Sequence, residues 1–110
     1  SSFLSLLCLR DYALSISITL LSRQAVIAPK FFDYYHLSLK MIKEADKRRI
    51  YNKEIVESCI RLLKQAISES PDQINNITEN MFLMNMIREG VKSNDIALKK
   101  KSLELIELIE

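Results

Sequence analysis

The amino-acid sequence predicts an all-α fold built as a stack of antiparallel helix pairs. Three observations predict it. Shifted by 42 residues, the chain aligns with itself: Pro29 falls on Pro71 and Asn52 on Asn94. The shift also lines up apolar columns, Leu14 with Val56 and Leu98, Leu21 with Leu63 and Leu105, and Ala25 with Ile67 and Ile109. The chain has one glycine and two prolines in 110 residues, too little punctuation for a sheet of short strands. A period near 40 residues built from helical patterns marks stacked helix pairs, whose natural product is an extended surface.

The elements follow in order. Phe3–Leu9 reads as the end of one helix, and Asp11 opens another that carries Leu14, Ile18, Leu21 and Ala25. Within it Leu14–Leu20 alternates with serine and threonine, so a strand competes there. Its place in the repeat columns favours helix. Pro29 opens a helix with Phe32, Tyr35, Leu39 and Ile42 inward, while Phe31 and Tyr34 point partly elsewhere. The polar run Asp46-Lys47-Arg48-Arg49 marks a turn. Asn52 caps a helix bearing Val56, Ile60, Leu63 and Ile67.

Ser70-Pro71-Asp72-Gln73 is a strong helix start, with a capping serine, a first-turn proline and an acid suited to the helix dipole. One helix is expected from there, with Ile74, Ile77, Met81, Met84 and Ile87 inward and Gly90 as a left-handed cap. Ser93-Asn94-Asp95 starts the last helix, which presents Leu98, Ser102, Leu105 and Ile109. The expected division is a single helical-repeat domain over 1–110, with a truncated unit 1–28, a unit 29–70 and a unit 71–110. The Ser-Ser opening and the stop within a pattern at Glu110 read as a fragment of a longer protein.

Charge is nearly balanced, at +2. Residues 29–70 hold nine basic and six acidic groups, and residues 71–110 hold five and seven. Lys47-Arg48-Arg49 and Lys99-Lys100-Lys101 are the basic clusters, but three successive helical positions fan over roughly 200° and cannot form one stripe. The columns read as exposed (Ser15 with Glu57 and Lys99, Ser22 with Lys64 and Ile106, Arg23 with Gln65 and Glu107) are not uniformly basic. Phe3–Leu21 is apolar but is interrupted by Arg10 and Asp11, short of the roughly 20 apolar residues a span requires. No basic segment precedes it, so no signal peptide is read either.

Catalytic chemistry has little to draw on. His36 is the only histidine, and no second ligand stands at metal spacing. A His36–Cys59 pair lacks an orienting third group. The glutamates at 54, 57, 104, 107 and 110 read as solvated faces, with Glu57 and Arg61 an ordinary i,i+4 pair. One glycine cannot supply a phosphate-binding loop. No catalytic residue, cofactor or metal is expected. Cys8 and Cys59 read as buried thiols, which points to an intracellular, cytoplasmic or nuclear setting.

The stretch Asp95-Ile-Ala-Leu98-Lys99-Lys-Lys-Ser102-Leu-Glu-Leu-Ile106 resembles the second helix of a HEAT repeat. That family places an Asp at the turn, then an aliphatic–basic pair, a small residue and an aliphatic. Asp95, Leu98-Lys99, Ser102 and Ile106 hold those places. Lys99 stands where Arg is usual, and Lys53 replaces the turn Asp in the middle unit, which speaks against a bidentate Asp–Arg ladder. The chain is also similar to the trunks of vesicle-coat adaptor large subunits.

The resemblance implies a HEAT/armadillo-like right-handed α–α superhelix that scaffolds other proteins or peptides along a face lined by the second helices. On those helices Arg61, Lys64, Lys99 and Lys100 point away from the packing columns and are the expected partner contacts. The competing expectation is nucleic-acid binding through the basic middle unit. Apolar faces on the terminal helices predict self-association.

Overall fold

The computed structural model describes the backbone of residues 2–110 and the side chains from Leu9 onward. Cys8 and the apolar side chains of Phe3–Leu7 lie outside the described side chains. Six helices follow one another: α1 (Ser2–Ile27), α2 (Phe31–Lys47), α3 (Lys53–Glu69), α4 (Gln73–Glu79), α5 (Met81–Val91) and α6 (Ile96–Ile109). No strand occurs among the described residues, and Leu14–Leu20 is helical. At 26 residues, α1 runs for about 39 Å and accounts for much of the 47 Å long axis.

Contacts are confined to neighbours. Helix α3 touches all five others. Helices α1 and α6 lie on either side of it, and among the described residues α1 meets only α2 and α3. Helix α2 meets α5, and the short α4 closes against α3, α5 and α6. Burial follows the same geometry. The flanking helices bury one stripe each, Ser15, Ile18, Ser22 and Ala25 on α1 and Leu98, Ser102, Leu105 and Ile109 on α6. Helix α3 buries Ile55, Val56, Ser58, Cys59, Ile60, Leu62, Leu63 and Ala66, more than one face of a helix. Of the aligned columns, Val56, Leu98, Leu63, Leu105, Ala25 and Ile109 are buried, whereas Leu14, Leu21 and Ile67 are half-buried.

Four local expectations are corrected. The first helix has no break at Asp11: α1 runs unbroken from Ser2, because nothing between Leu9 and Tyr12 removes a donor or demands an unusual φ. Pro29 and Pro71 each stand two residues ahead of a helix start, but the helix after Pro71 ends at Glu79. Asn80 is extended (φ −95°, ψ 105°). Its amide NH2 donates to the carbonyl of Asn76 at 2.6 Å, and the Thr78 hydroxyl donates to that of Asn75 at 3.1 Å. Side chains that bond the local backbone compete with a continuing helix. The break turns α5 so that Leu83, Met84, Met86 and Ile87 are buried while Met81 is 67 % exposed. On α2 the buried line is Phe31, Tyr35, Ser38, Ile42 and Ala45, with Phe32 and Leu39 half-buried, so Phe31 is a core residue rather than an outward anchor. It stacks on Tyr35 with ring centroids 5.3 Å apart.

The fourth correction concerns Gly90. It is helical, not left-handed, and lies buried inside α5. A Cβ there would strike the Ser102 hydroxyl and come within 2.9 Å of Val56 Cγ1. The glycine is what lets α5 cross this close to α6 and α3. The left-handed cap is at Arg49 instead (φ 57°), closing α2. Its N–H donates to Asp46 O at 3.0 Å and that of Ile50 to Ala45 O at 2.9 Å, the paired bonds of a Schellman end.

Two outcomes follow for urea unfolding. Gly90→Ala lowers stability by about 1–3 kcal/mol, because overpacking at the crossing outweighs the gain in helix propensity. Arg49→Gly raises it by roughly 0.5–1 kcal/mol, because the left-handed conformation costs an L side chain more than glycine.

Candidate docking face

Helix α1 has little contrast between its two sides, because apolar groups stand on both. The side turned to the protein carries hydroxyls: Ser15 and Ser22 are buried, with Thr19 half-buried beside them. Ser15 and Ser22 belonged to columns expected to be exposed, and they are not. They form a polar seam with α3. Arg61 Nη1 donates to Ser22 Oγ at 2.7 Å, and Ser15 Oγ donates to Asn52 Oδ1 at 3.4 Å. Ser22 and Thr19 hydroxyls also donate to the carbonyls of Thr19 and Ser15 at 3.0 and 2.8 Å. The same Asn52 oxygen caps α3 by accepting from the N–H of Ile55 at 3.0 Å.

The opposite side of α1 carries the larger apolar groups. Leu9, Tyr12, Ile16, Leu20 and Ile27 are 62, 67, 42, 61 and 76 % exposed. They recur three, four, four and seven residues apart, which places them along one line of the helix. Where α1 leans on the start of α3, Tyr12, Ile16 and Leu20 rise beside Ser15, Thr19, Asn52 and Glu54 around an open groove of about 280 Å³. Its lining mixes the apolar Tyr12, Ile16 and Leu20 with hydroxyls, an amide and the exposed Glu54.

The four expected contact residues do not gather. Arg61 is half-buried and engaged with Ser22; burial and then the nearby Arg23 hold its guanidinium below its ordinary value. Lys64, Lys99 and Lys100 are exposed and form no ion pair among the described residues. Lys64 aligns with Ile106, about 10 Å further along its helix than the level of Lys99. One basic triplet lies at the end of α2 and in the turn after it, the other on α6, and α2 and α6 do not touch. Arg48 is spent on Glu44 at 3.0 Å and Asp11 at 3.8 Å.

His36 is exposed against the Phe32 and Tyr35 rings, with centroids at 6.3 and 5.5 Å. Cys59 is fully buried, and burial pushes its thiol up to about 12. An exposed imidazole and a thiol held neutral do not make a nucleophile and base. Burial, and then the nearby Cys59, raises Tyr35 to about 12 as well. Among the described residues no three His, Cys, Asp or Glu side chains converge as a metal site. No helix there is long and apolar enough to cross a membrane.

The units are tied by two polar links. At one end the Tyr51 hydroxyl donates to Asp46 Oδ1 at 2.6 Å, and Asn85 Nδ2 reaches the same carboxylate at 3.4 Å, joining α2 to α5. The Asp46 bond, then burial, raises Tyr51 to about 12. At the other, Lys53 Nζ lies 2.9 Å from Asp95 Oδ2, joining α3 to α6. These two residues are equivalent in the 42-residue alignment, so the lysine that replaces the expected turn acid finds its partner in the next unit. Asp95 Oδ1 also accepts from the N–H of Leu98 at 2.9 Å as the cap of α6.

The chain matches no protein-family model, no curated protein and no solved structure.

The Asp95 pair sets a pH dependence. The Leu98 N–H, then Lys53, holds the Asp95 carboxyl below its ordinary value. A carboxyl depressed by folding contributes stability above its unfolded pKa, near 3.9, and that contribution is lost as pH falls through the lower folded value. Asp95→Asn keeps a capping side chain but loses the ion pair, and Asp95→Ala loses both. In thermal melts at neutral pH the expected order of stability is wild type, Asp95→Asn, Asp95→Ala. The gap between the first two closes below about pH 4 and narrows at high salt.

Proposed function

We propose that this chain is a protein-interaction segment of a HEAT/armadillo-like helical-repeat scaffold, and that it docks an apolar helical stretch of another protein in the groove beside α1. The line of exposed apolar side chains on α1 carries this reading. The helix's buried line is half serine, while five large apolar side chains stand in solvent on the other side. A continuous exposed apolar strip of this kind marks an interaction surface rather than a scatter of single residues. The contact pattern supports the repeat architecture, since α1 and α6 meet α3 from opposite sides and never each other. Stacked hairpins require that arrangement, and a closed bundle breaks it.

The partner's apolar residues, spaced i, i+3 or i+4, and i+7, enter between Tyr12, Ile16 and Leu20. Glu54 and the hydroxyls of Ser15 and Thr19 select a donor or a basic side chain at the groove end. Lys64, Lys99 and Lys100 supply the polar rim of a longer partner laid across α3 and α6. The right-handed superhelix, the adaptor-like role and the intracellular setting all belong to this proposal.

Selection from a library of amphipathic helical peptides tests it, at chain concentrations in the low micromolar range. Enriched peptides share that apolar spacing and lose about tenfold or more in affinity for Leu20→Glu. Peptides that bind Leu20→Glu as well as wild type overturn the docking site. Binding of a fluorescent single-stranded oligonucleotide that falls log-linearly with salt, with no peptide enriched, favours the nucleic-acid reading.

A further inference from the structure

Beside the C-terminal ends of α2 and α5 lies an open pocket of about 210 Å³, lined by Arg49, Tyr51, Asn85, Arg88, Glu89 and Lys92. It shares no lining residue with the groove beside α1. Lys92 Nζ lies 3.7 Å from Glu89 Oε2, the one acid in the lining. Both guanidinium groups are left without an ion pair among the described residues. The nearby Asp46 carboxylate is held by Tyr51 and Asn85. We infer that this pocket binds the phosphate of a phosphoserine on a partner protein.

Arg49 closes α2 in the left-handed conformation (φ 57°), where glycine costs less than any L side chain. Its guanidinium is not needed as a cap. The carbonyls of Glu44, Ala45 and Asp46 on α2 already accept backbone N–H groups, as do those of Arg88 and Gly90 on α5. A side chain held at a strained backbone position that has no use for it points to function. Two unpaired arginines match one phosphate. Each guanidinium fork can bond two phosphate oxygens at once, and a phosphoserine brings about two negative charges at neutral pH.

Size and surroundings narrow the ligand. A cavity of about 210 Å³ falls below the roughly 300–1,000 Å³ of sites that enclose whole small molecules, so it admits a phosphate on a short stem and not a nucleotide. Glu89 and Asp46 interrupt the positive surface that a nucleic-acid backbone or an anionic bilayer follows. A second groove is lined by Lys43, Asp46, Lys47, Asn80, Met81 and Phe82, and Asp46 links it to Asn85 in the first. Met81 is 67 % exposed, and both lysines are exposed and unpaired among the described residues. Met81 and Arg88 stand about 10 Å apart along one side of α5, the span of about three extended residues. The ligand is thus an extended acidic segment. Its phosphoserine meets the two arginines, an apolar residue about three positions away covers Met81 and Phe82, and its acids lie near Lys43 and Lys47.

Fluorescence anisotropy tests this with a labelled acidic peptide that carries one phosphoserine and a leucine about three residues to either side of it. The wild-type chain is expected to bind it about tenfold or more tighter than the unphosphorylated form, with inorganic phosphate competing. Arg49→Gly loses about tenfold or more in affinity yet melts no lower than wild type, a combination that a purely structural arginine does not produce. Arg88→Gln weakens binding in the same way, and Lys101→Gln on α6 does not. Equal binding of the two peptide forms, or phosphopeptide affinity unmoved by Arg49→Gly or by Arg88→Gln, overturns the site. Vesicles containing a phosphatidylinositol phosphate, or a single-stranded oligonucleotide, bound through Arg49 where the phosphopeptide is not, overturn the peptide assignment.

Discussion

The burial of α3 is the constraint on which the other helices depend. Ile55, Val56, Cys59, Ile60, Leu62, Leu63 and Ala66 lie on more than one face of a single 17-residue helix, so no one neighbour covers them. Removing that apolar surface from water drives the assembly and requires helices on several sides at once. Helix α2 and the hydroxyl line of α1 take one side, while α5 and α6 take the other. Gly90 shows how tight the second side is: α5 comes so near Val56 and Ser102 that a single methyl has no room. The short α4 ends where the side chains of Thr78 and Asn80 bond the local backbone.

Polar groups then set register rather than supply bulk stability. Asn52 caps α3 and receives a hydroxyl from α1 with the same oxygen. Asp46 takes Tyr51 from the following turn and Asn85 from α5. Asp95 caps α6 and holds Lys53. Each anchors a helix terminus, where backbone groups lack internal partners, and each also reaches another element. A cap that bonds its own helix and its neighbour fixes how far one helix slides along the next. The apolar columns alone leave this free.

The helices were legible because apolar groups recur at helical spacing along most of the chain. Val56, Leu63, Leu98 and Leu105 are buried as expected, and each proline stands two residues ahead of a helix. Breaks were less legible. Asp11 resembles a helix start by type, but a cap acts only where the backbone is already turning, and α1 passes through it. Asn80 ends a helix without proline or glycine, through side-chain competition that a period count does not register. Gly90 was read as a conformational residue because glycine is common after helices, and its actual role, close approach, depends on a neighbour far along the chain. The candidate surface was hidden for a related reason. Ser15 and Ser22 looked solvent-facing and are buried, while the exposed Leu9, Tyr12, Ile16 and Leu20 fell outside the repeat columns. The apolar character of Phe3–Leu21 was visible, but it posed a membrane question before it posed a docking one.

The hydroxyl seam between α1 and α3 has a consequence for how the molecule comes apart. Ser15, Thr19 and Ser22 interleave with the buried Ile18 and Ala25, whereas α6 presents Leu98, Leu105 and Ile109 around a single buried serine. The two edges of the central helix are therefore fastened differently, one by hydroxyls set between apolar groups and the other chiefly by aliphatic groups. Local opening in proteins follows the weakest cooperative unit. Lifting α1 from α3 exposes hydroxyls that water can satisfy at once, beside apolar groups that it cannot.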